Sequence, residues 1–142
     1  MFFIYRLLTN LIFIFSPIII LIRLLKKKEH PTRFKEKFGI YTKKKLEGKL
    51  IWFHGASVGE ILSIIPLIEK LEKKNNIKQI LVTSNTLSSS TILSNLKLKK
   101  TIHQFFPIDT VYHTNKFLRY WKPSMAIFID SEIWPNMINN IK

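Results

Sequence analysis

Cysteine is absent from this 142-residue chain, and glycine and acidic residues are scarce. Without cysteine the chain forms neither disulfides nor thiolate metal sites, which is compatible with a reducing compartment. Only four glycines occur, and two of them, Gly55 and Gly59, bracket one serine. Nine acidic residues stand against 23 lysines and arginines, a formal net charge of +14. This balance favours a polyanionic partner, such as nucleic acid, a phosphorylated ligand or an anionic membrane surface.

The first 25 residues are a hydrophobic segment. Sixteen uncharged residues, mostly Leu, Ile and Phe, lie between Arg6 and Arg23. A membrane span needs roughly 20 apolar residues, so the run is slightly short unless its flanks extend it. We predict that residues 1–25 form a membrane anchor helix, either spanning the bilayer or lying in its interface. A cleaved signal peptide and a buried core helix are the alternatives, although a lysine cluster follows the run where a cleavage site would be expected.

Residues 26–48 are predicted to be a basic juxtamembrane linker. Its run Lys26–Lys28 would hold the adjoining end of the anchor on the cytoplasmic side. Cations at this place contribute on the order of 1 kcal/mol each near an anionic leaflet, although a solvated charge run is the simpler explanation. Four residues could share one face of a helix that Gly39 ends: Arg33, Phe34, Lys37 and Phe38.

Residues 49–142 alternate between short apolar strands and segments with helical periodicity, and the length is sufficient for one compact domain. Strands are predicted at about 49–54, 78–83, 101–106 and 123–129. Helices are predicted between them, at about 61–73, 87–97 and 111–121. Four strands that alternate with three helices predict an α/β fold, a doubly wound, Rossmann-like parallel sheet with right-handed crossovers.

Polar residues follow every predicted strand. In open α/β sheets the ligand lies at this carboxyl edge. The same residue types are favoured helix N-caps, so capping explains most of them without any further role. The residues are Ser57 and Glu60, Thr83–Thr86, Asp109, and Asp130–Glu132.

The stretch from Leu50 to Glu60 admits a structural interpretation. Ser57 and Glu60 have the spacing of a capping box, in which the two side chains satisfy backbone donors at a helix start. A helix beginning at Ser57 contains Pro66, at a cost of about 3 kcal/mol or more unless it kinks. A helix beginning near Ser63 would instead leave Glu60 in an open loop.

Two catalytic interpretations apply to the same stretch. Gly55–Gly59 matches the G-x-S-x-G nucleophile elbow of a serine hydrolase, for which Asp109 and His113 would be the acid and the histidine. Alternatively, Glu60 is a general base that accepts the proton of an attacking hydroxyl. The helix N-terminus favours an ionised Glu60, whereas burial opposes it.

Several motifs, in order along nearly the whole chain, resemble the amino-terminal part of the 3-deoxy-D-manno-octulosonic acid (Kdo) transferase family. The resemblance implies a GT-B fold of two Rossmann-like domains, of which the first mainly binds acceptor and the second mainly binds the donor CMP-Kdo. The motifs are Arg33-x-x-Glu36-Lys37-Phe38-Gly39, Trp52-x-His54-x-Ala56-Ser57-Val58-Gly59-Glu60, Thr83–Thr86, Pro107-x-Asp109 and Glu132-x-Trp134-Pro135-Asn136.

The resemblance also implies a function, the transfer of Kdo from CMP-Kdo to the lipid A precursor in lipopolysaccharide biosynthesis. Glu60 falls on the family's base and Glu132 on a further site residue. Ser57 and Gly59 would shape the site. No cofactor or metal is expected, because one base suffices for this transfer.

The same resemblance implies the partners and the location. The phosphorylated glycolipid acceptor lies in the inner membrane, so we expect the anchor to hold the chain on its cytoplasmic face. Arg33 and Lys37 are then candidate phosphate contacts. Nucleic acid is not expected as a partner, because the basic residues cluster near the anchor and the aromatic residues lie mainly on predicted apolar faces. The family's donor domain has no counterpart in these 142 residues, so we expect the chain alone to be inactive. A serine hydrolase that uses Ser57 and a non-catalytic acceptor-binding domain remain the alternatives.

Overall fold

A computed structural model describes residues 2–130 and 133–141, in which an apolar helix precedes an α/β domain. A 3₁₀ helix, Arg33–Phe38, lies between them. The α-helices are α1 (Phe2–Leu25), α2 (Val58–Glu72), α3 (Leu87–Asn95), α4 (Val111–Trp121) and α5 (Pro135–Asn140). The strands are β1 (Leu50–His54), β2 (Gln79–Ser84), β3 (Thr101–Phe105) and β4 (Met125–Phe128).

The four strands form one sheet in the order β3-β2-β1-β4, and every neighbouring pair is parallel. This confirms the predicted α/β class and the parallel sheet. The chain winds outward from β1 through β2 to β3, and then returns to place β4 on the other side of β1. The direction of winding therefore reverses between β1 and β4, which is the point where open α/β sheets bind ligands.

Helices cover both faces of the sheet because each strand alternates its side chains between them. Ile51 and Phe53 of β1 pack in one core cluster with residues of α2 and α3. Leu50 and Trp52 point the opposite way and pack in a second cluster with residues of α4 and α5. All five residues of β1 are at most 6% exposed, so β1 is the buried centre of the domain.

Helix α2 begins at Val58 with Ser57 as its N-cap, so the alternative start near Ser63 is wrong. The helix continues through Pro66. Pro66 deprives the carbonyl of Leu62 of its helical partner. Both residues lie on the exposed side of α2, where water can bond to that carbonyl.

The segment predicted as a linker contacts the sheet. Gly39 ends the 3₁₀ helix in the left-handed conformation, with φ 72°, as the sequence predicts. Within that helix Glu36 is fully buried, and its carboxylate accepts a hydrogen bond of 2.9 Å from the Phe105 N–H of β3. The Ile108 N–H donates to the carbonyl of Lys37. Residues 33–39 are therefore part of the packed structure, which their basic composition does not indicate.

Candidate functional site

The turn between β1 and α2 places Ser57 and Glu60 at the carboxyl edge of the sheet, beside the switch point. The Glu60 N–H donates to Ser57 Oγ over 3.3 Å, and this hydroxyl donates to Glu60 Oε1 over 2.7 Å. The Ala56 N–H donates to Glu60 Oε2 over 2.8 Å. The predicted capping box is thus confirmed, with Glu60 bonding the N–H one residue before the cap.

Capping does not prevent Glu60 from accepting a proton. Its side chain is only partly buried. Each carboxylate oxygen accepts one described hydrogen bond and retains a second lone-pair site. The two donors, Ala56 and Ser57, also fix the orientation of the carboxylate. The geometry is therefore compatible with a positioned general base.

Gly59 leaves open space beside Glu60. A Cβ added at Gly59 would meet no atom within 4 Å, and its φ is not positive. Alanine would be favoured at such a helical position by up to about 1 kcal/mol, so the fold itself gives no reason for glycine here. At Gly55, by contrast, a Cβ would lie 3.1 Å from Ile129 Cδ1 and 3.2 Å from Glu60 Cβ. Gly55 serves packing, whereas the space at Gly59 suits the close approach of a ligand.

His54, the last residue of β1, bonds to β2 and to the start of α5. Its Nε2 accepts a hydrogen bond of 3.1 Å from Trp134 Nε1–H, and its Nδ1 lies 2.9 Å from Thr83 Oγ1. Burial lowers the pKa of His54 to about 4, so the ring is neutral near pH 7 and can accept from Trp134. His54 and Trp134 belong to two different sequence motifs, and the sequence alone does not reveal that they are bonded.

The triad required by the hydrolase interpretation is not assembled in the described residues. The Ser57 hydroxyl donates to Glu60, not to a histidine. The Asp109 carboxylate accepts from the Asn136 and Met137 N–H groups at the start of α5 and from the Tyr5 hydroxyl. His113 Nδ1 bonds Thr110 Oγ1. The triad of Ser57, Asp109 and His113 is therefore wrong, because each of the three side chains has a different structural partner.

The Arg33 guanidinium is directed into the protein. It donates to both carboxylate oxygens of Glu36, over 2.9 and 3.1 Å, and to Ser90 Oγ and the carbonyl of His103. Burial and the charge of Arg33 lower the pKa of His103 to about 3, so its neutral Nδ1 can accept a further bond from Arg33. The structure thus supports a packing role for Arg33, and its phosphate contact stays a prediction.

Lys37 is directed toward a groove of about 510 Å³ between α1 and the carboxyl edge of the sheet. Its Nζ lies 2.7 Å from Glu29 Oε1, and the other oxygen of Glu29 accepts from Arg23 Nε over 2.8 Å. Two cations thus share one carboxylate at this end of the groove. The groove wall is mainly apolar and includes Ile12, Phe106, Pro107 and Trp134. Through Trp134 it adjoins the end of β1.

Glu132, the second predicted site carboxylate, lies outside the described residues. Within the described ranges, no three His, Asp or Glu side chains are grouped closely enough to hold a metal ion.

A family described as 3-Deoxy-D-manno-octulosonic-acid transferase (kdotransferase) matches residues 32–142. The 3-deoxy-D-manno-octulosonic acid transferase of Rickettsia bellii is 44% identical over 137 residues, which are 94% of this chain and 33% of the relative. The probable mitochondrial 3-deoxy-D-manno-octulosonic acid transferase of Arabidopsis thaliana is 37% identical over 96% of this chain and 31% of its own length. The 3-deoxy-D-manno-octulosonic acid transferase of Haemophilus influenzae is 28% identical over 94% of this chain and 32% of its own length. The chain spans about a third of the length of these relatives.

Proposed function

The chain belongs to the Kdo transferase family, and from that membership we propose that it is the acceptor-binding, amino-terminal part of a Kdo glycosyltransferase. The proposed donor is CMP-Kdo, and the proposed acceptor is the lipid A precursor of lipopolysaccharide biosynthesis. The observation that carries the proposal is the placement of Glu60. Its oriented carboxylate stands at the switch point with open space at Gly59, and the same sheet edge borders a groove along α1.

The proposed reaction requires one base. An acceptor hydroxyl oxygen forms a bond to the anomeric carbon of Kdo, and the bond from that carbon to the phosphate oxygen breaks. The electron pair of the broken bond leaves with CMP. Glu60 accepts the hydroxyl proton as the new bond forms. Glu132 is proposed as a further site residue, and neither a cofactor nor a metal is needed for this balance.

The groove is proposed to hold part of the acceptor. A phosphorylated glycolipid has anionic groups next to apolar chains, and the groove combines cations with an apolar wall. Lys37 is the candidate phosphate contact because its Nζ lies at this groove and shares Glu29 with Arg23. Helix α1 borders the groove and is proposed to hold it at the cytoplasmic face of the inner membrane.

Replacing Lys37 by Gln should weaken binding of the phosphorylated lipid A precursor at least about tenfold, since a hydrogen bond to a charged group contributes roughly 1.5–3 kcal/mol. Lys35 is exposed on the same 3₁₀ helix, so Lys35→Gln is the matched control for the change in net charge. Binding is measured by calorimetry on the detergent-solubilised chain, with circular dichroism to verify the fold.

A dephosphorylated acceptor separates the phosphate contact from general loss of the site. Lys37→Gln and the unchanged chain should bind it equally. Equal binding of the phosphorylated acceptor by the two lysine variants would show that Lys37 is not the contact.

A further inference from the structure

Helix α1 is attached to the packed structure near both of its ends. Near its start, the Tyr5 hydroxyl donates to Asp109 Oδ2 over 2.6 Å. Near its end, the Arg23 Nε donates to Glu29 Oε2 over 2.8 Å, and the other oxygen of Glu29 bonds to Lys37 of the 3₁₀ helix. A helix rises about 1.5 Å per residue, so these two attachments lie about 27 Å apart along its axis. Both acceptors are buried, with Asp109 and Glu29 each 4% exposed.

Between these attachments the same face of α1 packs on the domain. The ring of Phe13 lies 4.9 Å from that of His113 and 6.2 Å from that of Phe38, measured between centroids. Ser16 and Ile20 are 6% and 7% exposed. The spacing of three or four residues between successive contacts places them on one helical face. Helix α1 thus lies along the domain rather than projecting from it.

The opposite face of α1 is apolar and uncovered. By its length and composition, the helix over Phe3–Leu25 is long and apolar enough to cross a membrane. Its exposed apolar side chains include Leu7, Ile14, Phe15, Ile18 and Leu25. An apolar surface of this extent on a soluble monomer would be unusual. The cations Lys26–Lys28 follow directly, which favours an anionic bilayer as the cover.

The two attachments argue against an upright helix. The hydrocarbon core of a bilayer is about 30 Å thick, close to the separation between Tyr5 and Arg23. If α1 stood upright while docked, the domain surface that holds Asp109 and Glu29 would have to enter the hydrocarbon. Burying ionisable groups and irregular backbone there is costly.

We propose that α1 lies in the plane of the membrane interface, with its docked face on the domain and its apolar face in the acyl region of an anionic bilayer. This orientation deepens the proposed function, on whose membrane location it rests, and places the groove at Lys37 at headgroup depth. Transfer chemistry is not needed for the test, so failure of either proposal can be recognised separately.

The absence of native cysteine allows single-cysteine probes in the full chain. Thr9 borders the open cleft between α1 and α4, whereas Ile14 is on the uncovered apolar face and is 66% exposed. The two positions are five residues apart, about 140° around the helix, so they report on different faces. Ser94 is exposed on α3 and serves as the positive control. The variants Thr9→Cys, Ile14→Cys and Ser94→Cys are treated with a membrane-impermeant maleimide in inside-out inner-membrane vesicles. Labelling after SDS denaturation gives the total thiol.

An in-plane helix should label at Thr9→Cys to at least about half the extent of Ser94→Cys, and at Ile14→Cys to less than about a tenth. Protection of both helix positions would show that α1 spans the bilayer, because residue 9 would then lie within the hydrocarbon. Full labelling of both would show that α1 is not in the membrane. Labelling of Ile14→Cys alone would show that the opposite face is docked. Each of these three results overturns the proposal.

Discussion

Replacement of Glu60 by Gln is expected to lower the rate of Kdo transfer at least about a hundredfold, because general base catalysis is typically worth about 10²–10⁴ and an amide cannot take the hydroxyl proton. The rate is measured in a two-domain chimera, in which this chain replaces the matching first third of the Rickettsia bellii relative. The assay follows radiolabelled Kdo into the lipid A precursor.

The fold should tolerate this substitution. The glutamine oxygen can still accept from the Ala56 N–H, as Glu60 Oε2 does. The glutamine NH₂ can donate to Ser57 Oγ, whose hydroxyl rotates and has two acceptor lone pairs. Both hydrogen bonds of the cap are thus retained, so the expected loss of rate comes from the missing proton transfer.

Two variants serve as controls for Glu60→Gln. Glu69 is exposed on the same helix, so Glu69→Gln should leave the rate within about twofold. Ser57→Ala removes a cap worth about 0.5–2 kcal/mol and should slow transfer much less than Glu60→Gln. A Glu60→Gln chimera that transfers Kdo at the unchanged rate would exclude Glu60 as the base.

Glu36→Ala is expected to destabilise the domain by about 3–5 kcal/mol, because it leaves the mostly buried guanidinium of Arg33 without its counter-charge. Glu36 is fully buried and accepts two bonds from Arg33, one from Thr42 and one from the Phe105 N–H. In thermal unfolding of the detergent-solubilised chain, the midpoint should fall by at least about 10 °C.

Glu47 is exposed, and Glu47→Ala makes the same change of charge, so it is the matched control. It should shift the unfolding midpoint by no more than about 2 °C. Glu36→Gln keeps one acceptor oxygen, so its unfolding midpoint should lie between those of Glu36→Ala and Glu47→Ala. If the unfolding midpoint of Glu36→Ala equals that of Glu47→Ala, the segment that contains Glu36 does not stabilise the sheet.

The elements that the sequence predicts correctly are those with local signals. The apolar run of β1 and the helical period from Ile61 to Leu71 are each contiguous in sequence. The four strands and the helices α1 to α4 accordingly fall within a few residues of their predicted bounds. The capping pair Ser57 and Glu60 is likewise local, because both partners lie in one turn. The pair of His54 and Trp134 is not local, because 80 residues separate the two and only the fold brings them together.

Helix α5 illustrates what the sequence does not predict. It has six residues, too few for a clear period, and its first turn is capped by Asp109, more than 20 residues earlier. Pro135 at its first position was the available signal, since proline is favoured there. Glu36 is a similar case. A single acid in a basic stretch is typical of a solvated surface, and only its spacing from Arg33 indicates the buried pair.

The most direct measurement of the central claim compares Kdo transfer by the 142-residue chain with transfer by the chimera. We expect the chimera to transfer Kdo from CMP-Kdo to the lipid A precursor and the chain alone to have no activity, because the family resemblance assigns most donor contacts to the second domain. Robust turnover of CMP-Kdo by the chain alone would contradict its assignment as the acceptor half. An inactive chimera that is folded and membrane-bound would contradict its assignment to Kdo transfer.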